Sequence, residues 1–340
     1  MNISVKDISI LIEELFVKNG LGQSDASIVT NCLLEAELAG ISTHGVSMIP
    51  SHIKKCKKGY NLNAQLLIEK ETPSFTLYNA DNAIGMISAW KCIKRGVEMS
   101  SNTGIHAVFC NNANTFSAAY CYVKYAVDNG KIAIVMSNAP AQMAPLGGKN
   151  KMLGTNPLAI GIPTNDNHPF ILDMATSAVA KSKINEAVIL GKKEIPYGWA
   201  TDSEGNPTNN PNEAIKGLIL PMAGPKGYGL SMAIDILAGL LSRAAFLNGV
   251  NKFYSEDNEC MNVGHVFFVI DPVVLYGNDF YQDMHEYLNT IRNSEPIKGQ
   301  KIYVPGDLNY LSREQKIRDG LYITDELYEL LVNNTNIVND

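Results

Sequence analysis

The sequence has no run of about 18 or more apolar residues, so no membrane-spanning helix is expected. It has no CxxC pair and no Cys/His spacing of a metal site. Its cysteines, Cys32, Cys56, Cys92, Cys110, Cys121 and Cys260, stand apart from one another. That pattern excludes a disulfide framework and a structural zinc, and it suits buried thiols in a cytoplasmic protein. Positive charge is in deficit. The 28 Lys and Arg against 34 Asp and Glu leave a net charge of −6, which excludes a non-specific nucleic-acid binder. The one basic cluster, Lys54, Lys55, Lys57 and Lys58 around Cys56, reads as a solvated helix end. The start, MNISVKDISILIEELF, lacks the basic stretch and cleavage site of a signal peptide and reads as an amphipathic helix. The common nucleotide motifs are missing too. No GxGxxG opens a helix after a strand, and GKNKMLG lacks the GK[ST] of a phosphate-binding loop. There is no internal repeat, low-complexity tract or long linker.

What is present is a chain of 340 residues, 46% hydrophobic and 18% charged, enough for one large or two ordinary domains. The first 60 residues are helical in pattern. One helix carries Ile8, Leu11, Leu15 and Phe16. A second is capped by Ser24 or Asp25 and ends near Gly40. A third starts around Ser47 and stops before Gly59. From about residue 74, short apolar runs alternate with helices. SFTLYNA, HAVFC, KIAIVMSNA, PLAIGIPT, PFILDMATS and HVFFVIDP read as strands, with helices at Met86–Met99, near Phe116–Val127 and over residues 225–243. The last 30 residues are again helical. This order gives an α/β or α+β sheet. Two glycine- and proline-rich runs, PLGGKNKMLGTNPLAIGIP (145–163) and PMAGPKGYGL (221–230), fix irregular backbone in place. They are either ordinary turns or loops that bring backbone N–H groups and Lys226 to a phosphate-bearing cofactor.

Seven runs in order carry a family resemblance: THGV (43–46), PLGG…LGTNPLAIGIP (145–163), LDMATS (172–177), IPYGWATDSEGNPT (195–208), GPKGYGLSMAIDILAG (224–239), GHVFFVIDP (264–272) and VPGD (304–307). Together they resemble the malate/L-lactate dehydrogenase family that lies outside the Rossmann fold. The resemblance implies a central mixed-sheet domain that binds NAD or NADP, here residues 75–304. It also implies a small helical domain from both chain ends, residues 1–74 with 305–340. It further implies a homodimer with the active site near the junction of domains and subunits, and hydride transfer between nicotinamide and a 2-oxo or imino acid.

The same resemblance assigns residues. Ser137 and Asn138 stand at a cofactor-facing strand end. Asp173, Met174, Ala175, Thr176 and Ser177 match its DMATS loop, and Pro225 and Lys226 match its lysine loop. Gly306, Asp307 and Leu308 match its late PGD/PGE loop. His44 matches a proton-transfer histidine, whose ordinary pKa suits acid–base work near neutrality. Thr43 and Asp202 are orienting partners. The substrate side departs from the family pattern: Thr115 replaces a second histidine, Met48 an arginine that holds a carboxylate, His52 a tyrosine and Thr43 a serine. His52, one helical turn beyond Met48, is placed on the same face and against the ligand. Losing the arginine favours a modified sugar acid or other bulky oxo or hydroxy compound as substrate. The alternatives are a 2-hydroxy acid dehydrogenase with a relocated carboxylate clamp, and a non-catalytic dinucleotide-binding relative.

Overall fold

The computed structural model describes residues 2–254 and 259–335. The chain opens with strand β1 (Asn2–Ile3) and helices α1 (Val5–Lys18), α2 (Gln23–Leu38) and α3 (Ile49–Lys57). Ser4 caps α1 by accepting the Asp7 N–H. Gly22, and not Ser24 or Asp25, occupies the cap of α2, with Asp25 inside its first turn. Two 3-10 turns, Ser42–His44 and Val46–Met48, delay the start of α3 to Ile49.

There follow β2 (Leu67–Glu71), β3 (Phe75–Asn79), α4 (Gly85–Thr103), β4 (Ile105–Ala113), α5 (Tyr120–Asp128), β5 (Ile132–Ser137), β6 (Leu158–Ile162) and β7 (Phe170–Met174). An excursion carries α6 (Lys181–Ile189), β8 (Ala200–Thr201), β9 (Pro207–Thr208) and α7 (Pro211–Ala214), around a small core of its own built on Met143, Leu153, Ile184 and Ile219. Then come α8 (Pro225–Ile234), β10 (Val263–Ile270), α9 (Pro272–Tyr276), α10 (Phe280–Arg292), α11 (Asp307–Asp319), β11 (Leu321–Tyr322) and α12 (Asp325–Thr335). Residues 336–340 of the expected helical end lie outside the described residues.

The main sheet has seven strands in the order β2-β3-β4-β10-β5-β6-β7, and only β3–β4 is a parallel pair. Strand β10 is central, with Phe267 opposite Val108 and Val135. Its alternation is two-sided. Phe267 and Val269 enter the large core shared with α4 and α5. Val266 and Phe268 meet Ile234 and Ala238 on the other face. The strand Leu67–Glu71, before the expected boundary at 74/75, pairs antiparallel with β3 inside this sheet.

Two expected helices change at their ends for local reasons. Ser117 adopts φ 66°, so α5 begins at Tyr120 rather than Phe116. The helix expected over 225–243 is α-helical only to Ile234, after which Asp235–Leu240 widens into a π-helix. The widening lets the backbone lie directly on β10: a Cβ on Gly264 would sit 1.6 Å from the Ala238 carbonyl oxygen. Gly264→Ala should therefore cost about 3 kcal/mol or more, or block folding, since backbone must move. Gly229→Ala, with nothing near its Cβ position, should match wild type or gain up to about 1 kcal/mol. Urea denaturation of the two variants checks this contrast.

Candidate active site

His44 ends the first 3-10 turn after α2. Gly40, at φ +81°, reverses the chain there, and the Ile41 N–H bonds the Ala36 carbonyl. The imidazole is half-buried, and Nδ1 lies 3.0 Å from Thr43 Oγ1. The ring's Nε2 makes no hydrogen bond among the described residues, so it is the nitrogen left for a ligand. Burial lowers the His44 pKa below its ordinary value, favouring the neutral ring at pH 7. The His44 carbonyl accepts from Ser117 Oγ.

Thr115 lies two residues before Ser117 and is half-buried. Its backbone is clamped: a Cβ on Gly85 would come within 2.2 Å of the Thr115 carbonyl oxygen. The preceding Asn114 is buried, donating to Asn82 Oδ1 and the Ala83 carbonyl and accepting from the Met261 N–H. The Asn114 carbonyl lies 3.1 Å from His265 Nε2, and His265 Nδ1 lies 2.9 Å from Ser137 Oγ. His265 is fully buried and held well below its ordinary pKa, at about 4, by desolvation. His265 and His106 are structural, as expected. His106 sits between Thr76 Oγ1 and the Pro73 carbonyl.

Several of the residues assigned to the cofactor lie on or beside β7, which is an edge strand. Asp173 accepts the N–H of Tyr120 at the start of α5. Burial pushes the Asp173 carboxyl up to about 6, with that single N–H bond working against the rise. The loop 221–227 lies alongside. Ser177 bridges to Pro221, and the Met222 N–H bonds the Thr176 carbonyl at 3.0 Å. Met174 and Ala175, between Asp173 and Thr176, are partly exposed. Pro225 and Lys226 open α8, whose start has no side-chain cap, and Lys226 is exposed without a carboxylate partner among the described residues. At the other end of β7 the Ile171 N–H bonds the Pro305 carbonyl, and Gly306 at φ +106° packs so closely that a Cβ would lie 2.9 Å from the Pro169 carbonyl. A cleft of about 450 Å³ opens here, with Tyr120, Ile171, Gly306 and Asp307 on its wall. An under-bonded carboxylate, a free ammonium at a helix N-terminus and an open edge strand fit a dinucleotide's hydroxyls and phosphates.

Other assigned residues sit differently. Ser137 and Asn138 are buried, with their side chains engaged internally. Asn138 bonds Asp235, the Ala245 carbonyl and the Gly264 N–H, and Ser137 Oγ donates to the Gly264 carbonyl. The Thr176 hydroxyl goes to the Thr155 carbonyl and that of Ser177 to the Val179 carbonyl. The Asp307 carboxylate holds Arg292 at 2.7 Å and the Val304 N–H, while Leu308 is exposed. Asp202 closes an exposed turn, accepting from the N–H groups of Glu204 and Asn206, and those bonds lower its pKa. Met48 is half-buried, and its Sδ accepts from Tyr254 Oη at 3.5 Å.

Two expectations on α3 need correction. His52 is fully buried against Tyr60 and Phe253, its Nδ1 2.9 Å from Tyr60 Oη, so it belongs to the core and not to an open ligand wall. Desolvation, with Lys55 adding to it, drives its pKa down to about 3. The lysine cluster is not a wholly solvated end either. Lys55 is 3% exposed, its ammonium over the Tyr60 and Phe253 rings. Residues the sequence reading passed over also matter. Ser117 and Tyr120 join His44 to Asp173, and Glu37 flanks the His44 turn. An acidic residue at the end of a helix just before the THG turn is the signal that could have found Glu37.

The pattern of the malate/L-lactate dehydrogenase family matches residues 3–332. The chain is 35% identical to the malate/(S)-sulfolactate dehydrogenase of Methanothermus fervidus over 97% of this chain and 96% of that one. It is 30% identical to the NAD(+) ureidoglycolate dehydrogenase of Escherichia coli, over 98% and 95%, and 30% identical to the NADP(+) (2R)-3-sulfolactate dehydrogenase of Chromohalobacter salexigens, over 92% and 92%. The solved sulfolactate dehydrogenase of Methanocaldococcus jannaschii superposes with a TM-score of 0.92 at 34% identity, covering 99% of this chain and 97% of that one. Such extents leave one assignment: the chain belongs to the malate/L-lactate dehydrogenase family. It is an oxidoreductase, a dehydrogenase that works with NAD or NADP.

The raised Asp173 pKa carries a stability consequence. The folded state holds this proton more tightly than the unfolded state, so the group destabilises as pH rises from about 4 through 6 and most above that. Asp173→Asn should gain stability over wild type at pH 8, by up to about 3 kcal/mol, and little at pH 4. Urea denaturation at both pH values checks it. A difference independent of pH would refute the buried-carboxylate account.

Proposed function

We propose that the chain transfers a hydride between NAD or NADP and C2 of a 2-hydroxy or 2-oxo acid, with His44 as the proton-transfer group. One observation carries this reading. The short segment 117–120 holds the His44 carbonyl through Ser117 and Asp173 through the Tyr120 N–H, so an acid–base side chain and the cofactor strand meet within a few residues. Asp173 would accept from ribose hydroxyls, and Lys226 with the α8 N-terminus would face the diphosphate. Backbone of 174–177 and 306–308 would complete the cradle. The bound nicotinamide supplies the hydride acceptor or donor. His44, neutral at pH 7, takes the substrate hydroxyl proton at Nε2 during oxidation and returns it during reduction. Thr43 Oγ1 can accept the Nδ1 proton of the tautomer that leaves Nε2 free as base, and the Thr115 hydroxyl is the second hydrogen-bonding group beside the substrate oxygen. Asp202 shapes its own turn.

Met48 bears on the substrate. A thioether capped by Tyr254 stands where the resemblance expects a guanidinium. Lys55, two turns along α3, is walled off by Tyr60 and Phe253 and does not replace it. This favours a sugar acid or another bulky hydroxy acid over a compact one. A homodimer is supported by an exposed apolar row on successive turns, Met232, Ile236 and Leu240, with Leu241 and Phe246 beside it. Six free cysteines, five of them buried, suit a reducing cytoplasm.

A panel of sugar acids, malate, lactate, sulfolactate and ureidoglycolate, each with NAD and NADP, tests the reading. Turnover of a bulky acid is expected, with malate and lactate slower by roughly 10²–10³. Absence of turnover on every 2-hydroxy acid would sink it. On the best acid, oxidation should be level above pH 7 and decline below an apparent pKa under 6.5, because protonated His44 cannot act as base. His44→Asn should lose about 10²–10⁴ in kcat with cofactor affinity unchanged. Lys226→Ala should weaken NAD(P)H binding by roughly 1.5–3 kcal/mol by calorimetry. Unchanged affinity would remove Lys226 from the cradle.

A further inference from the structure

Glu37 stands in the last turn of α2 and is 6% exposed. Its Oε1 accepts from Ser42 Oγ at 2.7 Å and from Lys316 Nζ at 3.0 Å. The same ammonium donates to the Glu37 carbonyl. On the other side its Oε2 lies against Gly45, where a Cβ would come to 2.5 Å. One buried carboxylate thus grips Ser42 and abuts Gly45, the residues that bracket Thr43 and His44. Lys316 reaches in from α11, whose first residues are Asp307 and Leu308.

Simple attachment of α11 to α2 is already secured by other contacts. Arg313 pairs with Glu35 at 2.5 Å, and Asn309 Nδ2 donates to the Ala39 carbonyl at 2.8 Å. The Glu37–Lys316 pair differs because its carboxylate also touches the turn that carries the imidazole. Removing Lys316 leaves the buried Glu37 carboxylate uncompensated, and removing Glu37 frees the turn from its carboxylate and leaves the partly exposed Lys316 ammonium unpaired. The turn then relaxes, because a short 3-10 turn with an exposed Thr43 has little packing of its own.

We propose that Glu37 and Lys316 are positioning residues for the reaction, holding the 42–45 turn so that His44 Nε2 meets the substrate oxygen. The proposal rests on His44 as the proton-transfer group. Proton transfer demands heavy-atom approach within about 3 Å, so a small shift of the turn lowers kcat more than it changes binding.

The experiment compares wild type, Glu37→Gln, Lys316→Met, Glu35→Gln and His44→Asn as full-length proteins. It reads kcat and KM on the acid selected by the panel, the Kd for NADH and NADPH by fluorescence, and Tm. Glu37→Gln and Lys316→Met should each lower kcat about tenfold or more, with KM and cofactor Kd within about threefold. The double variant should be no slower than the worse single one. Glu35→Gln, which breaks the neighbouring pair without touching the turn, should keep kcat within about twofold even where its Tm falls as far. Lys316→Arg and Glu37→Asp guard against a variant that fails to fold, and each should restore part of kcat. Wild-type kcat in a folded Glu37→Gln, or an equal kcat loss in Glu35→Gln, overturns the positioning role while leaving His44 in place. Wild-type kcat in His44→Asn overturns the proton-transfer reading and this proposal together.

Discussion

The arrangement hangs on Asn138. Its side-chain oxygen accepts the Gly264 N–H, and its amide donates to Asp235 and to the Ala245 carbonyl, so one residue after β5 binds the start of β10, the π-helix and the loop beyond it. A side-chain amide can meet three backbone and side-chain partners at once, and in a dry interior each unmet partner costs about 1–3 kcal/mol. The neighbours continue the pattern. Ser137 leads to His265, His265 to Asn114, and Asn114 to the two loops at Asn82 and Met261. Asn156 extends it the other way, from the Ala139 N–H to the Ser231 carbonyl in α8. The helix that presents Lys226 and the loop that presents Thr115 are therefore parts of one fully bonded frame. Such a frame resists partial loosening, because a half-bonded buried network is worse than an apolar core.

Strain gathers around this frame. Asn112, Ser117, Asn156, Arg243, Leu247 and Asn262 all have positive φ without being glycine. Each is costly alone, and together they mark where the backbone is bent to serve packing and the site. Ser117 shows the use most plainly. Its left-handed turn stops α5 from starting early and aims its hydroxyl at the His44 carbonyl, while three residues on, the N-terminal N–H of α5 meets Asp173. The same bend that shortens a helix links the His44 turn to strand β7.

Much of this was legible in the residues, and the parts that were not share a cause. Strands such as HVFFVIDP read as unbroken apolar runs because both faces of the sheet are covered by distinct layers, and glycine at 224 and 306 marks positive φ directly. Strand β2 hid because all five of its residues, LIEKE, are exposed, leaving no buried face to impose a period. Lys55 and His52 were misread because burial is a property of the loop that folds over α3, and Phe253 lies about 200 positions away in sequence. The π-helix was illegible for a related reason: apart from Gly239, DILAGL is made of residues an α-helix accepts, and the widening answers to the Gly264 backbone pressed against it. Helix α10, by contrast, carries its amphipathic pattern openly in FYQDMHEYLNTIR. For the site, the family motifs single out His44, Asp173 and Lys226 alongside Asn138, and no motif distinguishes an exposed or half-buried side chain from one such as Asn138 whose side chain holds the frame.

That separation changes what divergence at the substrate side means. Met48, His52 and Thr115 depart from the family pattern, whereas Asn138, Asn156 and Gly264, which hold the frame, lie within or beside runs that keep it. A substitution in the frame must be absorbed by several partners at once. A substitution at Met48 disturbs one contact to Tyr254 and the local packing of α3. His52 in turn is accommodated by Tyr60 Oη and two aromatic rings, a local repacking that leaves the 42–45 turn anchored by Glu37. The physical consequence is a chain whose departures from the family pattern fall where few partners must adjust, around the start of α3 and in the loop after β4, while the heavily bonded frame between β5, β10 and α8 is left intact.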